Sequence, residues 1–218
     1  MKPYGVSHTL QKLYAGQTLS RILMNRALSK EKIRGRVVDI GGGRSPDYFL
    51  YLKTEDGAVI EVSDGSLTPI DFERDTLPYA SGSVDTILLC NILEHVYHYA
   101  HLLREVRRIL HIQGRIIGFV PFWTGYHPDP HDYFRYTHEA LLAIISEAGF
   151  SDIEITRIGG GPFSANFNTI VLSFPRPMRP VLYIPYLLLD RLFLLLRPAS
   201  AARFPLGYLF TAKAAKTN

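Results

Sequence analysis

The sequence is almost free of cysteine. Cys90 is the single one among 218 residues, so the chain cannot form an internal disulfide or a cysteine-rich metal site. A chain without disulfides suits a reducing compartment. The N-terminal residues also lack the charged start, apolar run and small-residue cleavage site of a secretory signal. Together these absences predict a cytoplasmic protein.

Charged residues are few and apolar residues many. They make up 20% and 47% of the chain, which predicts a sizeable core and argues against global disorder. No internal repeat and no low-complexity tract interrupts the sequence. A length of 218 residues fits one α/β domain with an insertion better than two full domains.

Positive charge is concentrated near the C-terminus. Of 24 Lys/Arg and 20 Asp/Glu in the chain, residues 175–218 hold seven and one, a net charge of +6. The remaining 17 and 19 give residues 1–174 a net charge of −2. This asymmetry indicates contact with an anionic partner, either a membrane surface or nucleic acid. Because the same region is the most apolar in the chain, the pattern favours peripheral membrane contact through 175–206, at the inner face of a membrane.

Apolar strand-like segments alternate with helix-like segments through the middle of the chain. Together they predict a Rossmann-like, doubly wound α/β fold with a mostly parallel seven-stranded sheet. Residues 1–34, with an amphipathic helix over 8–30, form a predicted helical extension, and 35–218 form the main domain. Predicted strands are 36–40, 58–62, a weaker 69–72, 84–90, 114–120, 152–158 and 207–213; predicted helices are 46–53, 97–110 and 137–148.

An apolar, basic insertion over 159–206 separates the sixth strand from the last. From Val181 to Leu196 nearly every residue is apolar, and a helix there carries one polar strip containing Tyr183, Tyr186, Asp190 and Arg197. Sixteen helical residues span about 24 Å, which is shorter than a hydrocarbon core of about 30 Å. We therefore expect no transmembrane helix. Two alternatives stay open: a helix lying in a membrane interface, or one buried against the domain or a partner subunit.

The strongest local motif is VVDIGGGRSP, residues 37–46. It predicts a buried strand, a glycine turn and a helix start, at the sheet edge where parallel α/β proteins bind ligands. Arg44 and Pro46 break the G-x-G-x-x-G spacing of dinucleotide-binding turns. A tight turn without a ligand is the alternative interpretation.

The motifs that follow this turn resemble those of one family in type and order. They are DFERDTLPYASGSVDTILLCNILEHV (71–96), REVRRILHIQGRIIGFVPF (104–122) and HPDPHDYFRYTHEALLAIISEAGF (127–150). The run resembles the class I S-adenosylmethionine-dependent methyltransferases of the type 11 group over roughly residues 35–158. The resemblance implies a methyltransferase that uses S-adenosyl-L-methionine.

The same resemblance implies a set of cofactor-binding residues. Asp39, Gly41 and Gly43 would hold the methionine part, with Ser45 replacing the family's third glycine. An acidic residue after the second strand would bind the ribose, and Glu61 and Asp64 are both candidates. Asp71 and Phe72 stand before the family's L-P-F motif and would contact adenine. Asn91, at the end of the fourth strand, would face the methyl group.

Two histidine-bearing segments fall where an acceptor would bind. His95 follows the fourth strand, and 127–137 follows the fifth with a high density of titratable and aromatic residues. General-base catalysis is predicted for His131 first and His95 second, with Arg135 positioning the substrate. The alternative is a structural loop in which Asp132 pairs with Arg135. His127, His131 and Asp132 resemble a metal-ligand set, but no ligand outside the segment is identifiable, so no metal site is predicted.

The acceptor is not identified by these patterns. It is either a lipid-like or isoprenoid-linked molecule or a soluble small molecule, and an oligomer is left open. Rival functions are a nicotinamide-dependent oxidoreductase and a catalytically silent binding module of the same fold. A nucleic-acid methyltransferase is disfavoured, because the basic residues accompany leucines rather than exposed aromatics around the site.

Overall fold

A computed structural model describes residues 5–44, 46–65, 67 and 69–215. The chain divides into two compact units. The larger, here the sheet unit, comprises Leu28–Val120, Tyr126–Thr156 and the chain from Leu209 onward. The smaller, here the helical unit, comprises the chain up to Ala27, Pro121–Gly125 and Arg157–Tyr208.

Six α-helices and eight strands are formed by the described residues. The helices are α1 (Val6–Tyr14), α2 (Leu19–Leu28), α3 (Tyr99–Ile109), α4 (His138–Glu147), α5 (Pro162–Ile170) and α6 (Met178–Leu196). The strands are β1 (Lys32–Ile33), β2 (Arg36–Ile40), β3 (Lys53–Thr54), β4 (Val59–Ser63), β5 (Val84–Cys90), β6 (Leu110–Pro121), β7 (Phe150–Ile158) and β8 (Gly207–Ala214). Short 3-10 helices lie at Asp47–Leu50, Leu93–His95, Val171–Ser173 and Pro198–Arg203.

The main sheet has the strand order β4-β2-β5-β6-β8-β7. Its first four strands are parallel, and β2 at their centre pairs with both β4 and β5. Strand β8 runs antiparallel to β7, because Leu206 bonds to Ile158 at one end and Ala215 bonds to Gly149 at the other. The buried residues of β2 and β5 are continuous rather than alternating, as expected of parallel strands covered on both faces.

The predicted α/β class is confirmed, with one difference in strand number. The described residues form a six-stranded main sheet, and the weak candidate at 69–72 is not a strand. The backbone turns there instead, because Asp71 accepts hydrogen bonds from the amides of Glu73, Arg74 and Asp75 through its side chain and carbonyl. The candidate helix at 46–53 is likewise only the 3-10 turn Asp47–Leu50 followed by β3, which pairs with β1.

The predicted helix over 8–30 is interrupted. Gly16 adopts a φ of 104° after α1, a left-handed conformation that ends a helix. The Thr18 hydroxyl then accepts a hydrogen bond from the amide of Arg21 and caps α2. These helices share a core with the insertion, since Leu13 and Leu19 pack in one buried cluster with Phe167, Tyr183 and Leu206. The extension and the insertion therefore build one unit, which the sequence did not predict.

Helix α6 turns its polar residues inward. Arg179, Tyr183 and Asp190 are buried within the helical unit, while most of the leucines of this helix are exposed. The Arg179 guanidinium donates to the carbonyl of Phe174, and the Asp190 carboxylate accepts from the amides of Phe163 and Ser164 at 2.9 and 2.7 Å. Within the described residues, none of the helices combines the length and apolar character needed to cross a bilayer.

Candidate active site

The glycine turn follows β2 at the carboxyl edge of the sheet. Gly41 and Gly43 have φ values of 75° and 69°, a left-handed conformation that favours glycine. A Cβ on Gly41 would lie 2.5 Å from Ile92, and one on Gly42 would lie 1.8 Å from the Asp39 carboxylate. A Cβ on Gly43 would meet nothing within 4 Å. Gly43 thus presents bare backbone to open space, as a turn that receives a ligand must.

Asp39 lies beneath this turn. The residue is fully buried, and both of its carboxylate oxygens are 2.7 Å from the Tyr48 hydroxyl, which donates to the carboxylate. Tyr48 is itself buried in the 3-10 helix that follows the turn. The carboxylate therefore lies against Gly42 and joins β2 to the 3-10 helix after the turn through its hydrogen bond with Tyr48.

The two candidate ribose-binding acids differ in position. Glu61 lies within β4, and the Arg36 guanidinium donates to both its oxygens at 2.8 and 3.1 Å. That hydrogen bonding lowers the pKa of Glu61. Asp64 follows the end of β4 directly, and its carboxylate accepts from the amide of Gly43 at 2.9 Å. Only Asp64 therefore lies against the glycine turn.

The remaining cofactor candidates are distributed along the same edge. Asn91 directly follows β5 with a φ of 56°, a left-handed conformation uncommon for a residue other than glycine. Asp71 is half exposed in its turn, and Phe72 is half-buried. Ser45 lies outside the described residues. Because β2, β4 and β5 are parallel, Gly41, Asp64 and Asn91 lie at one sheet edge.

The loop after β6 contains a tight ion pair. Arg135 donates two hydrogen bonds to Asp132 at 2.5 and 2.7 Å, and the Asp132 side chain is 1% exposed. This pair holds the pKa of Asp132 well below its usual range. The guanidinium also bonds to the carbonyl of Phe134. The structural interpretation of this pair therefore fits the geometry, whereas substrate positioning by Arg135 gains no support from it.

The two candidate bases lie in different surroundings. The His131 side chain is exposed and packs against the Tyr133 ring, with 5.3 Å between ring centroids. The His95 side chain is 8% exposed, and its Nδ1 is 2.5 Å from the carbonyl oxygen of His131. A carbonyl only accepts, so Nδ1 of His95 carries the proton and Nε2 keeps its lone pair when the ring is neutral.

Sequence reasoning missed Glu94. It lies on the 3-10 helix Leu93–His95, is fully buried, and has its Oε1 3.8 Å from His95 Nε2 and 3.9 Å from His127 Nε2. The L-E-H motif contained this residue, but a glutamate in a loop is usually exposed, and nothing in the sequence signalled its burial.

A cavity of about 590 Å³ opens beside this segment. Aromatic and basic side chains line it together with Glu73, which accepts from the amides of Tyr97 and His98 before α3. The rings of Tyr97 and Phe134 stack in it at 5.9 Å. None of its described lining residues belongs to the glycine turn. The cavity and the glycine turn are therefore separate features of the sheet unit.

Comparisons with known proteins agree with this architecture. Residues 53–118 match the sequence model of the family described as "Methyltransferase domain" of type 11. An uncharacterized 37.1 kDa transposon protein of Streptomyces fradiae is 31% identical over 91 residues, which are 42% of this chain. The match spans only 24% of that protein.

Solved structures share the fold at low identity. Geranyl diphosphate C-methyltransferase of Streptomyces coelicolor, in complex with Mg²⁺, geranyl diphosphate and S-adenosyl-L-homocysteine, has a TM-score of 0.56, 12% identity and coverage of 98% and 88%. The 1,6-didemethyltoxoflavin-N1-methyltransferase of Burkholderia thailandensis, with bound 1,6-didemethyltoxoflavin and S-adenosylhomocysteine, has a TM-score of 0.54 and 16% identity. That match covers 98% of this chain and 84% of the other. The [4+2]-cyclase SpnF has a TM-score of 0.54 and 12% identity, and the match covers 91% of this chain and 82% of the cyclase. Residues 53–118 therefore resemble a type 11 methyltransferase domain, and the chain as a whole shares the fold of solved methyltransferases.

Proposed function

We propose that this protein transfers a methyl group from S-adenosyl-L-methionine to a small-molecule or lipid-like acceptor. The observation that carries the proposal is the left-handed Gly43, whose missing side chain leaves open space beside Asp64 at the sheet edge. The site fits the cofactor, because it combines exposed backbone, a carboxylate for hydroxyl groups and a polar side chain on the next strand.

Each residue at the edge has a distinct part in the proposal. Gly41 and Gly43 allow the backbone to approach the methionine part, and Asp39 holds their turn from below through Tyr48. Asp64 binds the ribose hydroxyls, because Glu61 is already bonded twice to Arg36. Asp71 and Phe72 contact the adenine, and Asn91 faces the methyl group.

When bound at the glycine turn and Asp64, the cofactor would supply a methyl group activated by a sulfonium sulfur, which would keep the electron pair of the carbon–sulfur bond when the methyl group passes to a lone pair of the acceptor. The chain contributes positioning and exclusion of water. Where the acceptor atom carries a proton, His131 accepts it, since its exposed ring can reach a ligand outside the protein surface.

The acceptor enters through the aromatic cavity beside α3. Tyr97, Tyr99 and Phe134 offer ring faces to an apolar or unsaturated group, and Arg104 offers positive charge. Geranyl diphosphate, bound by one structural neighbour, combines an apolar chain with an anionic group. A lipid-like or isoprenoid-linked acceptor has the same two features.

The helical unit contacts an anionic membrane surface through α6. Three of its outward leucines are 58%, 79% and 73% exposed: Leu192, Leu195 and Leu196. Arg176, Arg191, Arg197 and Arg203 are exposed in the same segment. Apolar burial together with attraction of about 1 kcal/mol per basic residue gives interfacial binding without a membrane-spanning helix.

Two matched variants test the cofactor site. Gly43→Asn and Gly57→Asn each place a side chain at a left-handed position with open space around it, and asparagine tolerates that conformation. Calorimetric titration with S-adenosylmethionine should show at least tenfold weaker binding for Gly43→Asn and unchanged binding for Gly57→Asn.

Equal affinities in both variants would exclude the turn as the cofactor site. Cofactor binding that is intact, but never followed by transfer to any apolar or anionic acceptor, would favour the silent module. The fold itself leaves this open, because a cyclase shares it.

A further inference from the structure

Three ligand-type side chains converge in the sheet unit, on two separate loops. Glu94 and His95 lie on the 3-10 helix after β5, and His127 lies in the loop after β6. One nitrogen or oxygen from each lies within 4.8 Å of the others. The His95 and His127 rings meet edge to face at 5.2 Å. The fold brings these side chains together from two loops, so their proximity does not follow from adjacency in the sequence alone.

The carboxylate at the centre of this cluster lacks hydrogen-bond donors. Glu94 is fully buried, and neither of its oxygens accepts a hydrogen bond from any residue in the described part of the chain. An ionised carboxylate that is buried is normally paired with a cationic group or coordinates a metal ion. The nearest nitrogens, at 3.8 and 3.9 Å, are too distant to donate a hydrogen bond.

The orientation of His95 adds a second, independent observation. Its Nδ1 proton is committed to the carbonyl of His131, so the lone pair of Nε2 faces the Glu94 carboxylate. Two electron-pair donors that face each other are stabilised by a proton or a metal ion between them, and the separation of 3.8 Å is too long for a shared proton. A backbone carbonyl that fixes the far nitrogen is the usual support of a metal-bound histidine. On the other side, Nδ1 of His127 lies 3.5 Å from the Asp132 carboxylate and 3.3 Å from the Arg135 guanidinium. Metal binding through Nε2 requires that Nδ1 carry its proton toward Asp132.

We propose that Glu94, His95 and His127 bind a divalent first-row transition metal ion. Two bonds of about 2.0–2.2 Å at a tetrahedral angle place ligand atoms about 3.3–3.6 Å apart. The distances of 3.8 and 3.9 Å from Glu94 to the two histidines close with a shift of a few tenths of an ångström, and all three ligand atoms already lie within 4.8 Å of one another. Two imidazoles and one carboxylate suit Zn²⁺, Co²⁺ or Mn²⁺ better than Mg²⁺ or Ca²⁺, which prefer oxygen ligands alone.

Three protein ligands leave coordination positions open, as in catalytic zinc sites. An oxygen of the acceptor would bind there, which narrows the acceptor to an oxygen-bearing molecule. This last step rests on the proposed function, whereas metal binding does not. If Nε2 of His95 binds the metal, its lone pair is not available to accept a proton. Of the two candidate bases, His131 then remains.

The test uses untagged full-length protein that has been stripped with a chelator. Calorimetric titration with ZnCl₂ should show one site per chain with micromolar or tighter affinity, and MgCl₂ should give a much weaker response. His127→Ala should weaken Zn²⁺ binding at least a hundredfold, because it removes a partly exposed ligand without opening the core. His111→Ala is the matched control, since His111 is an exposed histidine on β6 outside the cluster.

A spectroscopic arm keeps the proposal falsifiable if Glu94→Gln does not fold. Co²⁺ bound in the site should give visible d–d absorption bands that His127→Ala abolishes and His111→Ala retains. The proposal is overturned if wild type binds Zn²⁺ no more tightly than His127→Ala. In that case the buried carboxylate is paired with a protonated histidine. Titration with S-adenosylmethionine in chelator separates this failure from failure of the cofactor assignment.

Discussion

Helices α3 and α6 bury opposite kinds of residue. In α3 the buried positions are Leu102, Leu103, Val106 and Ile109, and charged residues lie outside. In α6 they are Arg179, Tyr183 and Asp190, with leucines outside. Since apolar burial drives helix packing in water, α3 is stabilised by burying its apolar face within its own unit. The exposed apolar face of α6 instead requires a second apolar environment.

The comparison is tested most strongly by equal truncations on the two helices. Leu103→Ala opens a cavity at a fully buried position of α3 and should lower the free energy of unfolding by about 3 kcal/mol. Leu192→Ala removes an exposed side chain from α6 and should change it by less than about 0.5 kcal/mol. Urea unfolding followed by circular dichroism measures both. Similar losses would mean that the outer face of α6 is covered.

The sheet unit also buries one ion pair, which gives the next largest effect. Arg135→Ala leaves the buried Asp132 carboxylate without its guanidinium partner and should cost about 3 kcal/mol of unfolding free energy. His131→Ala, at an exposed neighbour in the same loop, should cost less than about 0.5 kcal/mol. The same urea experiment decides. If Arg135→Ala is as stable as wild type, the guanidinium is available for substrate after all.

In the helical unit, replacing a buried polar residue of α6 should lower the free energy of unfolding more than replacing an exposed leucine. Asp190→Ala removes the acceptor for two amides at the start of α5, which predicts a loss of about 2 kcal/mol. Asp190→Asn, whose amide oxygen still accepts, should lose less. The readout is the unfolding midpoint by circular dichroism at neutral pH. An Asp190→Ala loss no larger than that of Leu192→Ala would remove the case for an inward polar face.

The outward face can be tested without disturbing the core. Replacing Leu192 and Leu195 by serine should reduce high-salt binding to anionic vesicles at least tenfold, because apolar burial resists salt while arginine attraction does not. Phe193 is unsuitable for this purpose, since its ring packs against Phe163. Co-sedimentation over a salt series gives the measurement. If the wild-type protein does not bind these vesicles, the exposed face of α6 contacts another protein surface instead.

The smallest expected effect separates the two candidate ribose acids. Asp64→Asn should weaken S-adenosylmethionine binding about fivefold to tenfold, a loss of roughly 1 kcal/mol, because the charged acceptor is lost. Glu61→Gln should leave affinity unchanged, since that carboxylate is bonded to Arg36. Calorimetry on both variants compares them. The opposite order would place the ribose against β4 itself.

Much of the sheet unit was predictable from sequence. All six strands of the main sheet were placed within a few residues. The four parallel ones were recognised because buried parallel strands have continuous apolar runs. The helix predicted over 137–148 is confirmed as α4, and the Thr137 hydroxyl accepts a hydrogen bond from the amide of Ala140 and caps it. A local capping pattern needs no knowledge of tertiary contacts.

The rest depended on contacts that periodicity does not encode. The polar strip of α6 was recognised from sequence, but its inward direction follows from amides of α5 that Asp190 bonds. Glu94 was placed in the right motif, yet its burial depends on the distant loop that carries His127. The weak strand at 69–72 failed because side-chain bonds of Asp71 made a turn.

We propose that the glycine turn binds S-adenosylmethionine. Titration calorimetry of the wild-type chain with S-adenosylmethionine, S-adenosylhomocysteine and NAD in separate runs tests it most directly. We predict one site per chain for the first two ligands and no heat of binding for NAD. Tight NAD binding with no response to S-adenosylmethionine would contradict the account.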